Sequence, residues 1–293
     1  MNHKSGFVNI IGNPNVGKST LMNAFVGEKM SIITSKAQTT RHRIMGIVNG
    51  EDFQIVFSDT PGIIQPKYKL QESMMRFVGT ALADADILLY VTDIYETSEK
   101  NEEYIEKVKN SEVPVIIVIN KIDLSNQEEL EGLVEKWKEL VPKAEIMPIS
   151  AIKKLNVNFI FNRILELLPE SPAFYPKDQM TDKPERFFVS EFIREKIFLN
   201  YKKEIPYSCE VEVEEFKEDD HIIRIKSVIY VERDSQKGII IGDKGMAIKK
   251  VGTEARLDME KFFDKKVFLE MFVKVSKDWK NKITDLKRFG YYQ

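Results

Sequence analysis

The sequence predicts an α/β P-loop domain with a doubly wound, mostly parallel sheet, followed by a smaller α+β domain. Three observations predict it. Gly12-Asn13-Pro14-Asn15-Val16-Gly17-Lys18-Ser19 stands between an apolar run, Phe7 to Ile11, and a helix-forming stretch, Thr20 to Phe25. From there to about residue 168, β-branched apolar runs alternate with helical spacings. Pro169, Pro172, Pro176 and Pro184 then break regular structure and mark a boundary. The expected organisation is a first domain over 1–170, a semi-rigid linker over 171–184 and a second domain over 185–293.

A chain of 293 residues exceeds one average core, which agrees with two domains. Its 43% hydrophobic and 31% charged content fits a soluble globular protein. A formal net charge of −2 argues against a uniformly basic nucleic-acid binder, although charge can be unevenly spread. The single cysteine, Cys209, excludes an intrachain disulfide, suits a reducing compartment and reads as a small buried filler. Met1 to Gly6 runs straight into the first strand and leaves no room for a signal peptide. Apolar runs such as Val113 to Ile119 are too short to span a bilayer, which leaves only a peripheral membrane contact open.

Strands are expected at Ile44–Val48 and Phe53–Phe57, joined by a turn at Asn49-Gly50, and at Ala85–Val91, Val113–Ile119 and Ile146–Ile149. Helices are expected at Ser98–Lys109, Glu128–Leu140 and Phe159–Leu168. Ligands of such a sheet bind beyond the carboxyl ends of its strands. The motifs fall there: Gly12 to Ser19, Asp59-Thr60-Pro61-Gly62, Asn120-Lys121-Ile122-Asp123 and Ser150-Ala151.

The first motif has the residues of a phosphate cradle. Glycines let backbone N–H groups wrap a phosphate at a helix N-terminus, Lys18 adds charge at the β- and γ-phosphates, and the Ser19 hydroxyl suits Mg²⁺. Asn13, Asn15, Val16, Gly17 and Thr20 complete the cradle. His3 and His221 have no partners at metal-ligand spacing. The segment Arg41-His42-Arg43 reads as an exposed basic loop, His42 above all.

In this order, the motifs of residues 7 to about 168 resemble those of translation-factor-type GTPases. The resemblance implies GTP and GDP as ligands, because Asp123 would accept from guanine N1–H and the exocyclic amine, a donor pair that adenine lacks. It also implies that Asn120 braces the loop, that the Lys121 stem covers the base, and that Ser150-Ala151 meets the guanine oxygen. Asp59 would hold Mg²⁺, and the Gly62 N–H would sense the γ-phosphate. A threonine should complete the metal shell with Ser19 and Asp59; Thr40 is the first choice and Thr39 the alternative. Lys18, Thr40 and Gly62 are thereby the expected catalytic set. The family's water-orienting glutamine is replaced by Ile63, which implies slow intrinsic hydrolysis. Asn15 resembles the asparagine that seats an activating K⁺ in related enzymes.

Beyond the linker, Glu185 to about Tyr201 has helical spacing with Phe188, Phe192 and Ile193 on one side. Tyr207–Glu215 alternates as a half-buried strand, with Glu210, Glu212 and Glu214 on a face expected to be solvated. Ile222–Val231 and Lys266–Val275 are further strands, and a helix is expected through Phe263 and another from Lys277. Gly242-Asp243-Lys244-Gly245 resembles the GXXG loop of a KH domain of the prokaryotic type, which clamps about four nucleotides of single-stranded RNA. Ile239 and Ile241 would form the floor for bases, with Lys244 and Lys249 supplying charge. From Gly238 to Gln293 there are 13 Lys/Arg against 8 Asp/Glu, so positive charge gathers there.

The whole chain resembles the Era-like family of bacterial GTPases. That resemblance implies RNA rather than DNA, specifically the 3′ region of 16S rRNA, and a monomeric switch in assembly of the 30S ribosomal subunit. It implies cytoplasmic location with some contact at the inner face of the membrane. The competing reading is an RNA-binding adaptor whose nucleotide domain is loaded but does not hydrolyse.

Overall fold

The computed structural model describes residues 3–96 and 101–292; Met1, Asn2 and the expected helix start at Ser98 lie outside them. The chain forms two compact units. The first comprises Met1–Ser31, Thr40–Gln65 and Met74–Asp182, and the second Ile32–Thr39, Pro66–Ser73 and Lys183–Gln293.

The first unit is built on six strands: β1 Lys4–Gly12, β2 Ile44–Asn49, β3 Phe53–Asp59, β4 Ile87–Asp93, β5 Val115–Asn120 and β6 Glu145–Pro148. Their order is β2-β3-β1-β4-β5-β6. Every pair is parallel except β2 with β3, which the Asn49-Gly50 turn joins as a hairpin. β4 and β5 are buried along their whole length, which explains their near-continuous apolar sequence. The unit's helices are α1 Lys18–Val26, α3 Glu102–Lys109, α4 Gln127–Leu140 and α5 Val157–Leu167, while α2 Lys69–Ala83 is divided between the two units after Ser73. α2 was not expected from the sequence. Its apolar positions Leu70, Met74, Val78 and Ala81, all fully buried, follow the i+4 and i+3 steps of a helix face amid polar neighbours.

Residues 171–182 belong to this unit rather than spanning open space. Gln54, fully buried, holds them: its Oε1 accepts from the Phe174 and Tyr175 N–H groups at 2.7 and 2.9 Å, and its Nε2 donates to the Tyr175 carbonyl at 2.8 Å. Further along, Ile47 N–H donates to the Met180 carbonyl at 2.8 Å and Thr181 Oγ1 to the Met45 carbonyl at 2.7 Å. The strap thus satisfies the open edge of β2.

The Arg41–Arg43 segment departs from the exposed loop expected. Arg41 is fully buried and Arg43 is 8% exposed. Arg43 donates through Nε to Ser58 Oγ at 2.6 Å, and through both Nη atoms to the Asp84 carboxylate at 2.6 and 2.9 Å. A guanidinium can be buried when its fork is matched in this way, and spacing alone does not reveal the match.

The second unit contains α6 Glu185–Asn200, β7 Glu210–Glu218, β8 Ile222–Val231, α7 Asp234–Ile241, α8 Met246–Phe263, β9 Lys266–Val275 and α9 Ile283–Arg288. Its sheet runs β7-β8-β9, with β7 antiparallel and β9 parallel to β8. α7 was not foreseen, because the isoleucine run Ile239–Ile241 read as a floor for bases. The final helix starts at Ile283 rather than Lys277.

Glu210 is a correction to the solvated acidic face. It is 4% exposed, and Tyr291, near the C-terminus, donates its hydroxyl to Glu210 Oε2 at 2.6 Å. A register shift between Val213 and Glu215 also breaks the strict alternation. Within the same unit Arg194 Nη2 donates to the Thr39 carbonyl at 3.0 Å, and Lys36 caps the α6 C-terminus through the Tyr201 carbonyl at 2.5 Å. Leu70 N–H donates to the Lys280 carbonyl at 3.0 Å.

Candidate nucleotide and RNA sites

The loop between β1 and α1 is shaped by backbone requirements. Gly17 has φ 99°, and a Cβ there would lie 2.2 Å from Asn120 Nδ2. Only glycine admits both the torsion and the neighbour. Asn15 is also left-handed, at φ 67°, with its side chain exposed, and Asn13 and Val16 are buried. Lys18, 6% exposed, points its ammonium back into the loop, donating to the Gly12 and Asn13 carbonyls at 3.0 and 2.8 Å. Burial pulls its pKa down to about 8, against the opposing pull of Asp59 and Glu96. Ile63 N–H donates to the Gly12 carbonyl at 3.1 Å, which ties the Asp59–Gly62 motif to the cradle.

Three oxygen-bearing side chains meet beside Lys18. Ser19 Oγ donates to Asp59 Oδ2 at 2.6 Å and lies 3.0 Å from Thr40 Oγ1, which is 3.4 Å from the same carboxylate oxygen. Asp59 is fully buried, and its Oδ1 makes no hydrogen bond. Burial raises the Asp59 pKa, opposed first by the Lys18 charge and then by the Ser19 hydroxyl. Hard oxygen donors, one of them an orphaned carboxylate oxygen, fit a Mg²⁺ ion. Thr39 instead bonds Thr34 Oγ1 and the Lys36 carbonyl, both at 2.6 Å.

Ile63 is 2% exposed, in the core with Ile11, Val78 and Leu88. It has no polar atom and no access with which to orient water.

At the carboxyl end of β5, Asn120 bridges two loops. Its Nδ2 donates to the Val16 carbonyl at 2.8 Å, and its Oδ1 accepts the Ala151 N–H at 3.0 Å. Lys121 is left-handed at φ 67° and pairs with Asp93. Asp123 follows on a short 3-10 turn, Ile122–Leu124, with its carboxylate exposed. Ser150 is fully buried and accepts the Lys153 N–H at 3.2 Å. Asp93, the partner of Lys121, carries no motif; its sequence signal is its place at the carboxyl end of an apolar strand.

In the second unit, α7 ends at Gly242 and α8 begins at Met246. Gly242 has φ 71° and ψ −179°, and a Cβ on it would come within 2.5 Å of the Ala247 Cβ. Asp243 and Lys244 stand exposed at the tip, with Lys249 exposed one turn into α8. Ile239 is 50% and Met246 62% exposed, apolar side chains left facing solvent on either side of the loop. Ile241 is half-buried. Among the described residues no cluster of His, Cys, Asp or Glu could hold a metal ion by itself.

This is a P-loop nucleotide-binding domain joined to a KH domain. The family description "50S ribosome-binding GTPase" matches residues 7–121, and "KH domain" matches residues 204–280. GTPase Era of Staphylococcus haemolyticus is 47% identical over 99% of this chain and 98% of its own length. The Staphylococcus epidermidis GTPase Era is 45% identical with the same coverage. The chain belongs to the Era family of GTPases. Among solved structures, Era in complex with MgGDPNP and nucleotides 1506–1542 of 16S ribosomal RNA superposes with a TM-score of 0.95 at 39% identity, covering 99% of this chain and 100% of that one. An Aquifex aeolicus Era variant bound to GDP and AlF₄⁻ gives the same values.

Proposed function

We propose that the chain hydrolyses GTP at the Gly12–Ser19 loop and uses nucleotide state to control a single-stranded RNA clamp at Gly242–Gly245. The observation that carries this reading is the meeting of Ser19, Thr40 and Asp59 oxygens beside a buried Lys18, with Asn120 tying the same loop to Ala151. GTP lies along the loop with its guanine at Asp123 and Ser150-Ala151. The β- and γ-phosphates replace the Gly12 and Asn13 carbonyls as partners of the Lys18 ammonium. Ser19, Thr40 and Asp59 hold Mg²⁺, which when bound neutralises charge on the phosphate oxygens. Lys18, the loop N–H groups and the Gly62 N–H stabilise the charge that spreads over the γ-phosphoryl oxygens as water attacks. The Ile63 side chain, standing where the family's glutamine would be, cannot orient water and Gln65 is a weak substitute, so unassisted turnover should be near or below the roughly 10⁻⁴ to 10⁻³ per second of Ras.

Asn15 supports a further proposal, potassium activation. Its exposed amide offers an oxygen donor at the loop's rim, and equal GTPase rates in K⁺ and Na⁺ buffers would remove the idea. For the RNA, we propose the 3′ region of 16S rRNA, which the solved relative holds, and a role as a monomer in assembly of the 30S subunit. We place the protein in the cytoplasm with peripheral contact at the inner membrane face; no described helix is long and apolar enough to cross a membrane. The proposed division of labour is 1–170 for nucleotide, 171–184 for connection and 185–293 for RNA.

Calorimetry with GDP and with ADP tests the nucleotide reading, and equal heats for the two would overturn it. Single-turnover hydrolysis with and without RNA separates the enzyme from a non-hydrolysing adaptor.

A further inference from the structure

We infer that Asp93 is a positioning residue for guanine-nucleotide binding, acting through Lys121. The inference rests on the assignment of Asn120–Asp123 as the base site. Asp93 is the last residue of β4 and pairs in register with Asn120, the last residue of β5. Lys121 therefore leaves its strand one residue beyond the point where Asp93 ends its own. Its Nζ lies 2.5 Å from Asp93 Oδ2.

The carboxylate is prepared for this contact. Its side chain is 9% exposed, and its other oxygen, Oδ1, accepts the Tyr95 N–H at 3.0 Å. Orientation is thus set by the backbone of the following turn and does not depend on the lysine. Lys121 is the constrained partner: it is left-handed at φ 67°, and its side chain is 29% exposed. The Tyr95 ring, 68% exposed, stands 6.0 Å from the Lys121 ammonium.

A lysine stem laid across a base loses rotamer freedom on binding, and a strong pairing made beforehand removes most of that loss. The pairing also fixes where the stem lies, since the ammonium is held at one point and the Cα at another. The hydrogen bonds of the two groups run to each other and to the Tyr95 N–H, and not to Lys18, Ser19, Thr40 or Gly62. The effect should therefore fall on affinity and not on the chemical step.

The test uses the full chain and fluorescent GDP, with Asp93→Asn, Lys121→Met, the double variant and Asp93→Glu. Asp93→Asn and Lys121→Met should each raise the GDP Kd roughly tenfold, the loss expected when a long side chain must be ordered at binding. The double variant should be no worse than Lys121→Met alone, because Asp93 acts only through that lysine. The kcat at saturating GTP should stay within about twofold in Asp93→Asn, and Asp93→Glu should recover most of the affinity. Unchanged affinity in Asp93→Asn, penalties that multiply in the double variant, or a Glu variant as weak as Asn would overturn the inference. If Lys121→Met itself binds GDP normally, the base-site assignment fails, which is a separate result.

Discussion

Lys18 carries an ammonium that burial has made easy to deprotonate. Before nucleotide binds, its pKa is pulled down to about 8; polyphosphate beside it favours the charged form and raises that value again. Binding above pH 8 must therefore take up a proton. GDP affinity should be flat below about pH 7 and fall by up to tenfold per unit between the free and bound pKa values. Calorimetry at pH 8.5 in two buffers of different ionisation enthalpy would read the uptake directly; identical heats would contradict it. Thr40 and Thr39 give a second residue-level contrast. Thr40 touches Ser19 and Asp59, whereas Thr39 is spent on Thr34 and Lys36. Thr40→Ala should lower single-turnover hydrolysis about 10²-fold, and Thr39→Ala no more than a few fold.

The Gly242 loop and the strap at residues 171–182 are the elements whose behaviour follows most directly from their backbone. Gly242 occupies torsions open to glycine alone, with no room for a side chain, so Gly242→Asp should disturb the α7–α8 junction itself. Gly245, at φ 77° and ψ 10°, has no atom within 4 Å of a built Cβ, and aspartate tolerates that conformation. Gly245→Asp should therefore keep the fold and place a negative charge against the RNA backbone. A filter-binding assay should show RNA affinity down at least tenfold with GTP turnover unchanged. Gln54→Leu would leave three backbone groups of the strap without their partner, and denaturant unfolding should report a loss of about 2–3 kcal/mol. The strap also shows where pattern reading stops. Four prolines announce irregular backbone, but Gln54 on β3 and the backbone of Met45 and Ile47 on β2 decide that it lies along a sheet edge. α2 differs: its apolar positions keep helical spacing among Lys69, Gln71, Glu72 and Arg76, so its pattern was legible in the sequence.

At the scale of the whole molecule, the sequence places two ligand sites on one chain, and the fold draws segments Ile32–Thr39 and Pro66–Ser73 into the unit that carries the KH domain. Those segments end one residue before Thr40 and begin three residues after Ile63. The proposed nucleotide contacts at Thr40 and Gly62 are therefore close in sequence to segments of the second unit. Binding linkage is reciprocal, so RNA should tighten GTP-analogue binding by the factor by which the analogue tightens RNA binding. RNA affinity that is the same with analogue, GDP and no nucleotide would remove the switch.

Sequence alone determined the classes of chemistry here. Phosphate cradles, base-reading loops and GXXG turns are local, because a short run of backbone must take one unusual path and only certain residues allow it. Tertiary structure decided what is buried and who pairs with whom: Arg43 with Asp84, Glu210 with Tyr291, Lys121 with Asp93, Gln54 with the strap. Such partners lie 28 to 121 residues apart. Charge pairing and burial are properties of neighbours in space, and a one-dimensional spacing rule carries no information about them.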